Sequence, residues 1–239
     1  MESKNTVCAF ILGALLCAGL VVLGYFLSTG LLTMKSLERT VTVKGLSERD
    51  VAADIAIWPI KFSEAGNDVN QLFSTIQSKN LLVVGFLKES GFTETEVSVS
   101  VPTVIDRQAQ GFTDAANLPF RYSAASTITV YTGNVLLVRK TMINVVELGK
   151  RGIAITGQDF DTRPEFLFSK LNDIKPAMIE EATKNAREVA EKFAKDSNST
   201  LGKIKTASQG QFTITDRDSS TPYMKRVRVV STVEYYLSD

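Results

Sequence analysis

Two short runs carry the carboxylates best spaced for chemistry: "DFD", with Asp159 and Asp161, and "TDRD", with Asp216 and Asp218. Alternating Asp residues can offer hard oxygen ligands to Ca²⁺ or Mg²⁺. Neither run matches an EF-hand loop, and Asp is also an ordinary turn residue, so the turn reading outweighs a metal site at both. Asp54 stands in the dense apolar stretch "VTVKGLSERDVAADIAIWPIKF", residues 41–62. There it is expected to accept hydrogen bonds from neighbouring turn amides as a structural carboxylate. The chain has no histidine. That removes Ser-His-Asp and Cys-His chemistry, imidazole metal sites and the usual general base near neutral pH. The 2 cysteines, Cys8 and Cys17, both lie in the hydrophobic N-terminal segment. They read as small apolar fillers of a helix, and the rest of the chain has neither disulfide nor thiolate. No G-x-S-x-G, P-loop or dinucleotide fingerprint occurs. No catalytic, cofactor-binding or metal-binding residue is assigned.

The formal net charge is +1. A nucleic-acid partner needs a basic field to displace phosphate counterions, so none is expected. From Thr6 to Met34 there is no charged residue. A bilayer needs roughly 20 apolar residues and a secretory signal only about 7–15, so a membrane-spanning helix over about 7–27 is expected to remain in the mature protein. Ser28 to Gly30, "STG", offers the small residues of a rival cleavage site. Lys4 precedes the segment, and Lys35, Arg39, Lys44 and Arg49 follow it. Positive-inside counting keeps the following domain in the cytoplasm, but long domains translocate regardless of such charges, so charge leaves the side open.

The elements that must position these residues alternate in period. "ERTVTVKG" and "DVAADIAIWPIKF" read as two strands around a polar turn at Leu46 to Arg49, with Gly45 serving that turn. Trp58 is expected to fill the core between sheet and helices. Val69, Leu72, Phe73, Ile76, Val83 and Leu87 form a helical stripe, with Asn67 or Asp68 as cap and Gly91 as stop. "ETEVSVSVPTVID" alternates, and Pro102 marks it as an edge strand or one with a bulge. A polar loop (106–119), the strand "FRYSAASTITVYTG", a helix (about 134–149) and the strand candidates "GIAITGQDF" and "EFLFSKL" follow. The best helix is "IKPAMIEEATKNAREVAEKFAKDSNS", with Ala182, Ala186, Val189, Phe193 and Ala194 as its buried face. Asn198-Ser199-Thr200 fits a glycosylation sequon but reads as a helix-end turn. "GQFTIT" and "KRVRVVSTVEYYL" close the chain as a hairpin around the loop Asp216 to Tyr223. Lys225 sits on one face of the last strand and Arg226 and Arg228 on the other, which is solvated. The fold class is α+β: mainly antiparallel sheet packed by about three helices, preceded by one transmembrane helix. Residues 1–34 form the tail and anchor, and 35–239 the domain, with 40–239 read as one compact unit.

"VTVKG" followed by "ADIAIWPIKF" resembles the opening of SIMPL-domain proteins, with Asp54 and Ala56 in place and Ala53 where the family has proline. "NAREVAEKFAKDSNSTLGKIKTASQG" is similar to the family's Ala-rich helix and the strand after it (Leu201, Gly202, Lys203). The resemblance implies an extracytoplasmic bacterial protein, linked to oxidative-stress defence, in a family with ring-shaped homo-oligomers and no agreed catalytic residues. The uncleaved-looking anchor implies a membrane-bound branch, with the soluble domain on the periplasmic side of the inner membrane. The favoured function is a non-enzymatic envelope protein that self-assembles into a homo-oligomer, its other partner being membrane lipid through the N-terminal helix and no cofactor being needed. A ligand- or metal-binding envelope module is the rival, and an enzyme ranks third.

Overall fold

The structure is a computed structural model that describes residues 2–36, 39–110, 119–156 and 162–238; side chains of 2–11 and 32–36 are outside it. The chain opens with α1 (Glu2–Ser36), whose window Leu12–Leu31 has mean hydropathy 2.0 and no buried share. Length and composition suit this helix to cross a membrane, and a signal sequence meets the same description.

The body orders as β1 (Thr40–Ala52), β2 (Ile55–Gly66), α2 (Val69–Glu89), β3 (Val97–Val99), β4 (Thr103–Asp106) and β5 (Tyr122–Thr132). Then come α3 (Val135–Ile143), α4 (Val146–Lys150), β6 (Glu165–Leu167), α5 (Leu171–Asp196), β7 (Thr200–Gln209), β8 (Thr213–Asp216) and β9 (Met224–Ser238). One sheet has the order β1-β9-β7, with β8 also on β9; the other has β3-β5-β2-β6, with β4 also on β5. The fold is α+β with antiparallel sheets, as expected from the alternating periods.

Contacts divide the chain into two compact units, residues 1–48 with 174–213 and 228–239, and residues 49–173 with 214–227. In the first unit, Val43, Ala186, Ala190, Val233 and Tyr235 form the buried cluster. Its helix α5 buries Met178, Ala182, Ala186, Ala190 and Ala194. The expected face is thus corrected: Val189 is 36% exposed and Phe193 55%. The small residues face inward because β1 comes too close for larger ones. At α5's end, Asn198 turns left-handed at φ 51° and Ser199 N–H donates to Ala194 O at 2.8 Å, the helix-end turn read from the sequon.

The second unit packs α2, α3 and α4 against the five-stranded sheet around Trp58, Phe62, Ile76, Ile128 and Val130. Asp68 caps α2 by accepting from the Asn70 and Gln71 N–H groups, and Gly91 follows the helix at φ 105°. Phe86, not Phe73, joins the buried stripe, Phe73 being 45% exposed. Around Pro102 the edge strand splits into β3 and β4. Val99 faces Ile128 but Thr103 faces Ala125, so the split segment carries one extra residue against β5. The helix expected over 134–149 breaks at Asn144, which caps α3. Of "GIAITGQDF", Ile155 makes a single bridge to Phe62, and residues 157–160 lie outside the described residues.

The first hairpin also departs from expectation. β1 runs unbroken through Leu46 to Arg49, and the chain reverses at Ala53–Asp54 instead. The polar residues there are paired across the ladder: Arg228 Nε lies 3.6 Å from Glu48, and Arg226 Nε donates to Asp50 at 2.9 Å. On the inward face, the Ser47 hydroxyl donates to Glu181 at 2.9 Å. Charges that read as a turn are the outer face of a strand.

Candidate functional site

Gly45 is buried in the middle of β1, not in a turn. A Cβ there would sit 1.8 Å from Ala182 O, 2.5 Å from Ala186 N and 2.9 Å from Ala186 Cβ. Close approach of the backbone of α5, not freedom of φ, demands glycine.

Asp54 ends the β1–β2 reversal, and its partner lies far along the chain. The Ser169 N–H donates to Oδ1 and the Ser169 hydroxyl to Oδ2, each at 2.8 Å. The expected neighbouring amides are replaced by the segment after β6, and Asp54's own N–H donates to Leu167 O at 2.9 Å. Burial pushes the Asp54 carboxyl up, but the Ser169 bonds outweigh it and hold the carboxyl below its ordinary value. A depressed folded-state value stabilises the fold above the unfolded pKa of about 3.9, and that contribution disappears as pH falls through the lowered value. Asp54→Ala is therefore expected to cost about 1 kcal/mol at neutral pH, less than a buried charged bond because the site is half-open to water. Urea titrations of both proteins across the acid range check it: the difference should shrink towards zero as pH falls, and a constant gap would contradict the role.

The "TDRD" carboxylates are engaged by protein groups. Asp216 pairs with the ammonium of Lys225, which is 9% exposed on the inward face of β9. Asp218 builds the β8–β9 loop: it accepts from the Ser220 N–H at 2.9 Å, the Thr221 N–H at 2.7 Å, the Thr221 hydroxyl and Arg217 Nε at 3.0 Å. Chiefly the Thr221 hydroxyl, then Arg217, lowers its pKa to about 2. Both act as turn and pairing residues. Asp159 and Asp161 lie outside the described residues. Among the described residues, no group of three His, Cys, Asp or Glu could hold a metal ion. Trp58 is 5% exposed in the core of the second unit, opposite Val130 on β5. Arg226 and Arg228 face outward to Asp50 and Glu48, the division of faces read from "KRVRV".

Sequence reasoning placed a strand after α5 at Leu201 to Lys203 but did not single out its outer edge. β7 ends its sheet, and among the described residues no strand pairs with its outer side. Around its C-terminal half, the eight residues Thr206 to Thr213, "TASQGQFT", contain neither charge nor proline. All but the half-buried Phe212 are exposed. Of the cations beside it, Lys205 is matched by Glu234 at 3.1 Å, and the Lys175 ammonium lies 5.9 Å from the centroid of the Phe212 ring. Gly210 lets this segment lie against β9, where its N–H donates to Val230 O at 2.8 Å and a Cβ would meet that oxygen at 2.9 Å. Exposed edges are normally blunted by charge, proline or cover. Thr206–Thr213 carries neither charge nor proline of its own, and among the described residues no strand covers its outer side.

The model of the SIMPL family, described as a protein of unknown function (DUF541), matches residues 41–235. The chain belongs to the SIMPL family. The match begins in β1 and ends in β9, so the SIMPL domain takes in both sheets, and α1 precedes it. No curated protein matches the chain.

Proposed function

We propose that this SIMPL protein is held in the inner membrane by α1 and self-assembles through its domain into a homo-oligomer on the periplasmic side, without catalysing a reaction. The observation that carries the reading is the uncharged, exposed edge at Thr206–Thr213. A row of unpaired backbone donors and acceptors is a template for a strand of a second copy, and pairing hides it. Head-to-tail edge pairing closes into a ring when the rotation between copies allows. One helix per copy then fixes the assembly to the membrane through many weak attachments. The engagement of Asp54, Asp216 and Asp218 by Ser169, Lys225 and Thr221 supports a structural rather than a chemical role for the candidate carboxylates. A link to envelope or oxidative-stress defence belongs to the same reading.

The test is an edge variant. Ala207→Lys with Gln209→Lys puts two charges on the exposed edge, where an incoming strand of the next copy would have to desolvate them, while the exposed positions leave the fold untouched. Light scattering of the detergent-extracted variant is expected to give a particle of far fewer copies than the wild type. Equal masses would reject the edge as the contact. The anchor carries its own expectation: sequencing the membrane-extracted protein from its N-terminus should read into the residues before Leu12. A start near Leu31 would make α1 a removed signal instead.

A further inference from the structure

In the second unit, α3, β6 and the β8–β9 loop line an open groove of about 600 Å³. This is within the range of roughly 300–1,000 Å³ typical of small-molecule sites. Leu136, Met142 and Ile143 form one wall, and Phe166 and Tyr223 the other. Leu136 and Ile143, about two turns apart on one face of α3, are 73% and 78% exposed and make that face apolar. Arg139 and Lys140 share the same rim, and neither makes an ion pair among the described residues. The Arg139 guanidinium lies over the Tyr223 ring, 3.5 Å from its centroid, and Phe166 braces that ring edge-on at 6.2 Å. Stacking fixes the guanidinium plane and leaves its edge N–H groups to donate.

We propose that this groove binds a long-chain carboxylate, a fatty-acid anion, with its tail between Leu136, Ile143 and Phe166 and its head on Arg139 and Lys140. An uncharged apolar ligand would desolvate the half-buried Arg139 guanidinium and leave its edge donors without an acceptor. A small anion with no tail would leave Leu136 and Ile143 in water. A single ligand that answers both walls and rim is amphipathic and anionic. A planar carboxylate also takes two parallel hydrogen bonds from a guanidinium edge, which the stacked Arg139 presents. The proposal is independent of self-assembly.

The test uses the full-length chain in nanodiscs of neutral phosphatidylcholine and a diazirine-bearing palmitate analogue as photoprobe. Label is expected on peptides covering 135–143 and 220–223, to be displaced by excess palmitate and not by hexadecanol, which has the tail without the charge. Labelling there should fall about tenfold in Arg139→Gln, as loss of one charge-assisted contact implies. Leu136→Asp, at an exposed position where folding is not at stake, should lower it as well by opposing the ligand's charge. Four results would overturn the proposal. They are label confined to α1, groove label that palmitate does not displace (contact with the bilayer itself), equal displacement by hexadecanol, and labelling unchanged in both variants.

Discussion

Gly45→Ala is expected to lower stability by at least about 3 kcal/mol, beyond the ordinary range of a small-to-large change in a core. The added methyl would have to sit 1.8 Å from the Ala182 carbonyl oxygen and 2.5 Å from the Ala186 nitrogen. Both are backbone atoms of α5, which has no side chain to swing aside there. Relief requires moving α5 away from β1, and that opens the cluster of Val43, Ala190 and Tyr235 beneath it. In a domain of this size the loss corresponds to a fall in thermal midpoint on the order of 6–12 °C. Ala186→Gly in the same chain should rescue little, because it removes only the contact at 2.9 Å and leaves the carbonyl in place. Thermal unfolding followed by circular dichroism decides it. A midpoint for Gly45→Ala within a degree or two of wild type would mean that α5 does not lie on β1 at that distance.

The second large effect is expected from Ala186→Leu. Ala186 is fully buried, in the cluster with Val43 and Tyr235. Three extra carbons have no void to enter, and such overpacking costs about 1–3 kcal/mol. The contrast is Val189 and Phe193 on the same helix, 36% and 55% exposed. Val189→Ala and Phe193→Ala are expected to stay within about 0.5 kcal/mol, as surface changes do. Denaturant titration of the three variants reads the facing of α5 directly. A large loss in Phe193→Ala with none in Ala186→Leu would restore the face built from the bulkier residues.

Both cases turn on a distance that the sequence conceals. In α5 the apolar period is legible, but weighting by side-chain size turns the helix towards Val189 and Phe193. The close approach of β1 at Gly45 rewards small residues instead, and that distance is set by a strand some 140 positions away in the sequence. Leu46 to Arg49 resemble a turn because polar runs usually are turns. They continue β1 because Glu48 and Asp50 find Arg228 and Arg226 across the ladder, partners that no local window contains. Where the cause is local, sequence and structure agree: Asp68 caps α2, Gly91 stops it at positive φ, and Pro102 breaks an edge strand. The division of the body into two units leaves no linker in the composition, since each unit is made of separated segments of the chain. Asp54 is legible as a structural carboxylate, but Ser169, 115 residues on, is not. The uncharged edge is plain in "TASQGQFT" only when strand order is known, for only then does lack of charge at an exposed edge acquire meaning.

The central claim is self-assembly, and the most direct measurement is the mass of the full-length particle extracted in mild detergent, by light scattering corrected for bound detergent over a concentration series. The account predicts a discrete particle of several times the chain mass of 26.2 kDa, constant in copy number across the micromolar range. A single chain of 26.2 kDa persisting to high micromolar concentration would contradict it.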